Sequence, residues 1–296
     1  INFTNKDQRI LDDFEKNMLT KFSLSPYKQA KIDENGLRYC YRYISKELAE
    51  FFKINLPEIL NTSEGKTIPQ LLMKGKKENI SRILSCLFEG DGYVSIKNRT
   101  IRIGYKTKSK RLAEQIQDLL LRFGIRSSIT ENRGFYRVGI TSYENLKRFF
   151  NEIKFVTKEK NLIINKYLEE KTIRRHVKNR IPLEFNEDII KIINDEGIRK
   201  VGKYGLYDIV YDHSKRKDKF AFSLEFLKNL LPLLKDDKNK QYISRLISDI
   251  GWEKVTGFEI IDNEEEKWVY DLTIEPNHSF VSQATILHNT VTISKA

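Results

Sequence analysis

Cysteine is scarce in this chain, with two residues in 296, Cys40 and Cys86. Two thiols without paired spacing exclude a disulfide framework and fit a reducing cytoplasm, which is the expected location. Long apolar runs are missing too. No run of about 18 apolar residues occurs, and neither a signal peptide nor a membrane partner is expected. Histidine is sparse, and His176 and His213 stand without partners at metal-ligand spacing, as surface residues would. Acidic charge is the minority sign: 41 Asp and Glu against 53 Lys and Arg leave a net charge of +12. Such a balance favours a polyanionic partner, with plain solubility as the alternative. The length suggests two or more domains. The strand-like opening Ile1-Asn2-Phe3 reads as the continuation of something longer.

The stretch Ile83 to Tyr93 organises the rest. Leu84, Leu87 and Phe88 recur at helical spacing and form one apolar face. Cys86 and Gly90, four apart, make a second face small enough for another helix to approach. The helix is expected to stop at Gly92 in a left-handed turn. Glu89 and Asp91 then fall in the last turn, where the helix dipole is already negative. Two acids set against the dipole suggest an outside cation, most simply Mg²⁺. The same stretch also reads as an ordinary core helix with a solvated acidic end.

Leu84 to Gly92 resembles the signature of the LAGLIDADG homing endonucleases. Leu84, Leu87, Asp91 and Gly92 match it outright, and Ser85, Cys86, Phe88, Glu89 and Gly90 are like-for-like replacements. The resemblance implies two such helices side by side, with Asp91 holding the metal at double-stranded DNA.

Residues 1–55 and 101–155 look alike. Ile1-Asn2-Phe3 matches Ile101-Arg102-Ile103, and the amphipathic stretch Asp7 to Leu24 matches Lys108 to Ile125. Hairpin-like stretches follow in both, Tyr27 to Ile44 and Arg126 to Ile140, with turns at Glu34-Asn35-Gly36 and Glu131 to Gly134. Helices at Ser45 to Phe52 and Tyr143 to Phe150 close each copy. Phe22 and Phe123 are 101 residues apart, so the first copy's equivalent of Asp91 would precede residue 1. The first copy is therefore expected to lack its signature helix, and cutting by this chain alone is doubtful.

By the same resemblance the strands form a saddle over the DNA major groove. Lys97, Arg99, Arg102, Lys106, Arg126 and Arg137 are the expected DNA contacts, able to reach phosphates and guanine edges. Lys160, following Ile153-Lys154-Phe155, is expected to stabilise charge developing on the phosphate, with Lys66 as a first-copy counterpart. Beyond Glu169 the chain is highly charged, and Arg174, Arg175, Lys178 and Arg180 could also touch DNA. Helical periodicity then marks Asn186 to Asp195, Ser223 to Lys235 and Tyr242 to Asp249.

The C-terminus carries the most specific pattern. Strand-like Trp252 to Ile261 and Trp268 to Ile274 flank an acidic turn, and Val269 to Thr273, His278 to Val281 and His288-Asn289-Thr290 follow in order. These blocks resemble the closing motifs of an intein. The chemistry is coherent in its own right. An asparagine side chain can attack its own backbone carbonyl, giving a succinimide and severing the bond after Asn289. His288 and His278, set across an expected hairpin, can move the proton that step needs. Thr290 carries a hydroxyl for acyl transfer, and Asp271 could orient it. Singly these residues also read as a turn asparagine, a core histidine and a strand-end aspartate. The segment Thr290 to Ala296 resembles a stretch of archaeal MCM replicative helicases, which would make that the host.

The expected fold is α+β. A truncated αββαββα repeat (1–80) precedes a second repeat (81–168), then a linker and helical insert (169–250). The last strands of an all-β Hint splicing domain (251–289) and a host segment (290–296) end it. The expected activities are Mg²⁺-dependent DNA cutting and cofactor-free splicing, the partners being DNA, the missing N-terminal intein half and the exteins. The rival is a non-catalytic nucleic-acid-binding module, or a decayed endonuclease in a splicing-only element.

Overall fold

The computed structural model describes residues 1–33, 36–97, 100–169, 180–205, 221–248, 252, 257, 279–282 and 285–288. The chain divides into two compact units, one of Ile1–Thr141 with Arg148–Ile164, the other of Ser142–Lys147 with Asn165–Ala296. Helices mix with antiparallel sheets, the α+β class. Among the described residues no helix is long and apolar enough to cross a membrane.

The first unit opens with β1 (Asn2–Asn5), α1 (Gln8–Phe22), β2 (Tyr27–Asp33), β3 (Gly36–Arg42) and α2 (Lys46–Asn55). Asp7 and Ser45 start the two helices by accepting from Arg9 N and Leu48 N, donors that a helix cannot satisfy within its own first turn. Leu11, Met18, Tyr41, Tyr43 and Leu48 make a small core beneath the sheet. The chain continues through α3 (Gln70–Met73), α4 (Lys77–Asp91) and β4 (Gly92–Lys97). The first order then returns as β5 (Thr100–Thr107), α5 (Lys110–Leu121), β6 (Ser128–Asn132), β7 (Phe135–Ile140) and α6 (Tyr143–Glu152), with α7 (Lys158–Glu169) after it.

The sheets β1-β3-β2 and β5-β7-β6 have the same winding. They differ at one edge: β4 lies along β5, whereas among the described residues no strand lies along the outer edge of β1. The second sheet carries the larger core. Ile101, Ile103 and Tyr105 alternate inward from β5, and Ile116, Leu119 and Leu120 of α5 and Phe149 of α6 are buried with them, all at most 2% exposed. Between the repeats, Gln115 receives Ile68 N at 2.8 Å and donates to Ile68 O at 2.9 Å, so residues 66–75 form a strap along α5.

In the second unit, α8 (Asn186–Asp195), the hairpin β8 (Lys200–Val201) and β9 (Tyr204–Gly205), α9 (Leu224–Leu230) and α10 (Asp237–Leu246) enclose their own apolar core, centred on Ile189, Ile193, Leu227 and Ile243. The helix expected over Ser223 to Lys235 is shorter, because Pro232 cannot continue it and a 3₁₀ turn over Leu231–Leu233 takes over. The following helix begins earlier than expected, at Asp237, because Asp236 accepts from Lys238 N and Asn239 N. Near the C-terminus β10 (Ser279–Ser282) and β11 (Thr285–His288) pair antiparallel, Ser279 opposite His288.

Candidate metal centre and nucleic-acid interface

Helix α4 buries Ile80, Leu84 and Phe88, one residue per turn, completely. The Phe88 ring lies 5.0 Å from that of Phe149 and 5.6 Å from that of Tyr105, which fixes the end of the helix against both α6 and β5. The face formed by Cys86 and Gly90 is exposed. The helix runs through Asp91 and passes straight into β4. Gly92 is extended, with φ −94° and ψ 158°, rather than left-handed as expected. Glycine is needed there for space: a Cβ would collide with the carbonyl oxygen of Phe88.

The two acids of the last turn have different surroundings. Glu89 is turned inward, with its side chain 12% exposed. Thr157 donates to it from the backbone N–H at 2.9 Å and from Oγ1 at 3.1 Å. Lys160 Nζ sits 3.2 Å from Glu89 Oε1 and donates to the carbonyls of Glu89 at 2.9 Å and Gly92 at 3.2 Å. An ammonium has three protons, and these three oxygens account for them. Lys160, expected to face a phosphate, is here engaged with the end of α4.

Asp91 is exposed. Tyr105, which the sequence reading missed, is 2% exposed and stands opposite Gly92, the residue after Asp91. Burial first, then the Asp91 carboxylate, push the Tyr105 phenol well above its ordinary range. The available signal was the Ile101-Ile103-Tyr105 alternation, whose inward face leads back to Gly92. No three His, Cys, Asp or Glu side chains converge among the described residues. One exposed carboxylate still fits Mg²⁺, which keeps several waters and takes one or two carboxylates together with phosphate oxygens.

The outer face of the second sheet is set by strand register. Tyr93 stands opposite Gly104, Ser95 opposite Arg102 and Lys97 opposite Thr100. Lys106 stands opposite Arg137, and Arg137 opposite Thr130. None of these facing positions is acidic. Like charges directly opposite destabilise a sheet, so the Lys106–Arg137 pair marks a place suited to an anion. Phe135 lies beneath Lys106, with Nζ 3.9 Å from the ring centroid. Gly104 keeps the floor low, since a Cβ there would run into the Tyr93 ring.

The structure thus brings Arg102, Lys106 and Arg137 onto one face, with Lys97 at its β4 edge by backbone register. Arg126 precedes β6 in a loop, half-buried. Lys66 is exposed on the strap, its carbonyl accepting from Ser109 Oγ at 2.6 Å. In the first sheet, Lys31 opposes Arg38 and Tyr27 opposes Arg42, a cationic counterpart that alternation along Tyr27 to Arg42 could have revealed. Arg180 pairs through its backbone with Ser223. Arg99, Arg174, Arg175, Lys178, Asp271, His278, Asn289 and Thr290 lie outside the described residues, and His288 is placed by the backbone of β11 alone.

Residues 78–154, spanning α4 and the β4–β7 sheet, match the LAGLIDADG-like domain. The chain is 26% identical over 314 residues to the glutamine–fructose-6-phosphate aminotransferase (isomerizing) of Methanocaldococcus jannaschii, covering 96% of this chain and 25% of that protein. It is 27% identical over 303 residues to the probable translation initiation factor IF-2 of the same organism, covering 82% of this chain and 25% of that protein. The chain therefore spans about a quarter of the length of these relatives. Among solved structures it is similar to I-DmoI in complex with DNA and calcium, with 18% identity and a TM-score of 0.41 over 56% of this chain and 82% of that one.

Proposed function

We propose that the chain is the rear portion of an intein interrupted by a DNA endonuclease of the LAGLIDADG kind. The carrying observation is the exposed Asp91 carboxylate at the end of α4, where the chain enters a sheet whose acid-free outer face bears Arg102, Lys106 and Arg137. In this reading that face, with Lys97, Arg99 and Arg126, lies on duplex DNA. Asp91 is the protein's ligand to a divalent cation at the scissile phosphate. Bound there, Mg²⁺ would polarise the phosphate and supply an acidified water. The same reading keeps residues 1–80 as a truncated repeat, with a helix and strand elsewhere completing the open edge of β1.

The splicing half of the proposal rests on Asp271, His278, His288, Asn289 and Thr290 following one another in that sequence. Support comes from the relatives: an aminotransferase and an initiation factor share no activity, yet each contains a segment matching most of this chain. A segment common to such proteins is more simply an inserted element than part of either activity. Thr290 would accept the upstream acyl chain, Asn289 would cyclise, and an O-to-N shift would leave a normal peptide bond. The host, on the resemblance of Thr290 to Ala296, would be a replicative helicase, and the setting cytoplasmic.

The test supplies the upstream part of the reading frame together with this chain. Mg²⁺-dependent duplex cutting should disappear in Asp91→Asn while joining of the flanks continues. Cutting that survives Asp91→Asn would overturn the metal role. One observation favours a second reading, a DNA-binding module that does not cut: no three metal-ligating side chains converge among the described residues, and Lys160 is engaged with the end of α4. Salt-sensitive binding without Mg²⁺-dependent nicking would select it.

A further inference from the structure

The end of α4 is held from two sides by groups that the proposed reaction does not itself consume. On one side stands Tyr105. The β4–β5 register puts it directly opposite Gly92, the residue after Asp91. Its ring is 2% exposed and packs 5.6 Å from Phe88, so it has little freedom. Beside burial, the Asp91 carboxylate is the group that acts on its hydroxyl. On the other side Lys160 donates to the carbonyls of Glu89 and Gly92, which bracket Asp91 in the chain, at 2.9 and 3.2 Å. Its third partner is the Glu89 carboxylate, itself anchored by Thr157.

We infer that Tyr105 and Lys160 are positioning residues for Asp91. Lys160 fixes the backbone on both sides of the aspartate, and Tyr105 engages the carboxylate from the buried side, leaving acceptor sites facing outward for a cation. This inference rests on Asp91 being a metal ligand, and it gives Lys160 a task different from touching a phosphate. A ligand held by a fixed neighbour binds metal more tightly than one that must be ordered at binding.

The probe is Mn²⁺ alone, titrated into the full chain without DNA and followed by water-proton relaxation. Asp91→Asn should abolish the binding that this site contributes. Tyr105→Phe keeps the ring and removes only the oxygen. Lys160→Met keeps the stem and removes the charge. Each should weaken Mn²⁺ binding by about tenfold, the low end for removing a group behind a metal ligand. The urea midpoint of Tyr105→Phe should stay near wild type, so this variant carries the test even if Lys160→Met is destabilised. Unchanged Mn²⁺ affinity in Tyr105→Phe would overturn the role of Tyr105. Wild-type Mn²⁺ affinity in Lys160→Met, with DNA cutting lost, would put Lys160 on the substrate and overturn its role. Undiminished Mn²⁺ binding in Asp91→Asn would instead show that the metal reading beneath both is wrong.

Discussion

Lys160 and Glu89, 71 residues apart in sequence, are joined twice: Nζ meets the Glu89 carbonyl at 2.9 Å and its carboxylate at 3.2 Å. The pair ties the start of α7 to the end of α4, and Thr157 completes it from the same turn. Because Glu89 is nearly covered, removing its charge leaves a half-buried ammonium short of a partner. Glu89→Gln should therefore cost about 1–3 kcal/mol, the usual penalty for an under-satisfied buried group. Urea unfolding followed by circular dichroism checks this. A midpoint unchanged from wild type would mean that the latch contributes nothing to stability.

Binding to DNA should depend on the outer face of the second sheet. Arg102→Gln, Lys106→Gln and Arg137→Gln should each weaken binding to mixed-sequence duplex DNA. Each should also lower the slope of log affinity against log salt by about one, as expected for loss of one phosphate contact. Fluorescence anisotropy at several salt concentrations measures both quantities. Slopes identical to wild type in all three variants would move the interface elsewhere.

Asp118, on α5, gives a pH signature. Burial raises its carboxyl above the ordinary value, with Glu114 adding to the shift and Arg111 opposing it. The ionised form is therefore disfavoured in the fold. The stability associated with the neutral form is fully present below the unfolded value of 3.8 and is lost as pH rises through the higher folded value. Asp118→Asn removes that loss. The variant should be more stable than wild type at neutral pH, and the gap should close as pH falls toward the unfolded value. Thermal melts across pH test this, and an equal gap at every pH would contradict it.

Much of this architecture is legible along the chain because it rests on local periodicity. Leu84, Leu87 and Phe88 announce α4, and the alternation in Arg126 to Ile140 and Tyr27 to Ile44 announces both hairpins. The repeat is legible for the same reason, and the hairpin before Asn289 emerges as Ser279 opposite His288. What sequence does not reveal depends on residues distant along the chain. Glu89 and Asp91 look equivalent until Thr157 and Lys160 turn one of them inward. Tyr105 looks like one more core residue until strand pairing sets it beside Asp91. Gly92 invites a left-handed ending, but crowding against Phe88 is what requires glycine there.

The chain's last chemical step can be watched in the chain itself. Incubated at neutral pH and weighed intact, it should lose the peptide Thr290 to Ala296 and leave a fragment one water lighter than the hydrolysed product, the mass of a succinimide at Asn289. Asn289→Ala should stay whole under the same conditions while binding DNA as before. Release of the same peptide from Asn289→Ala, or a wild-type chain that stays whole even when its upstream partner is supplied, would contradict the account.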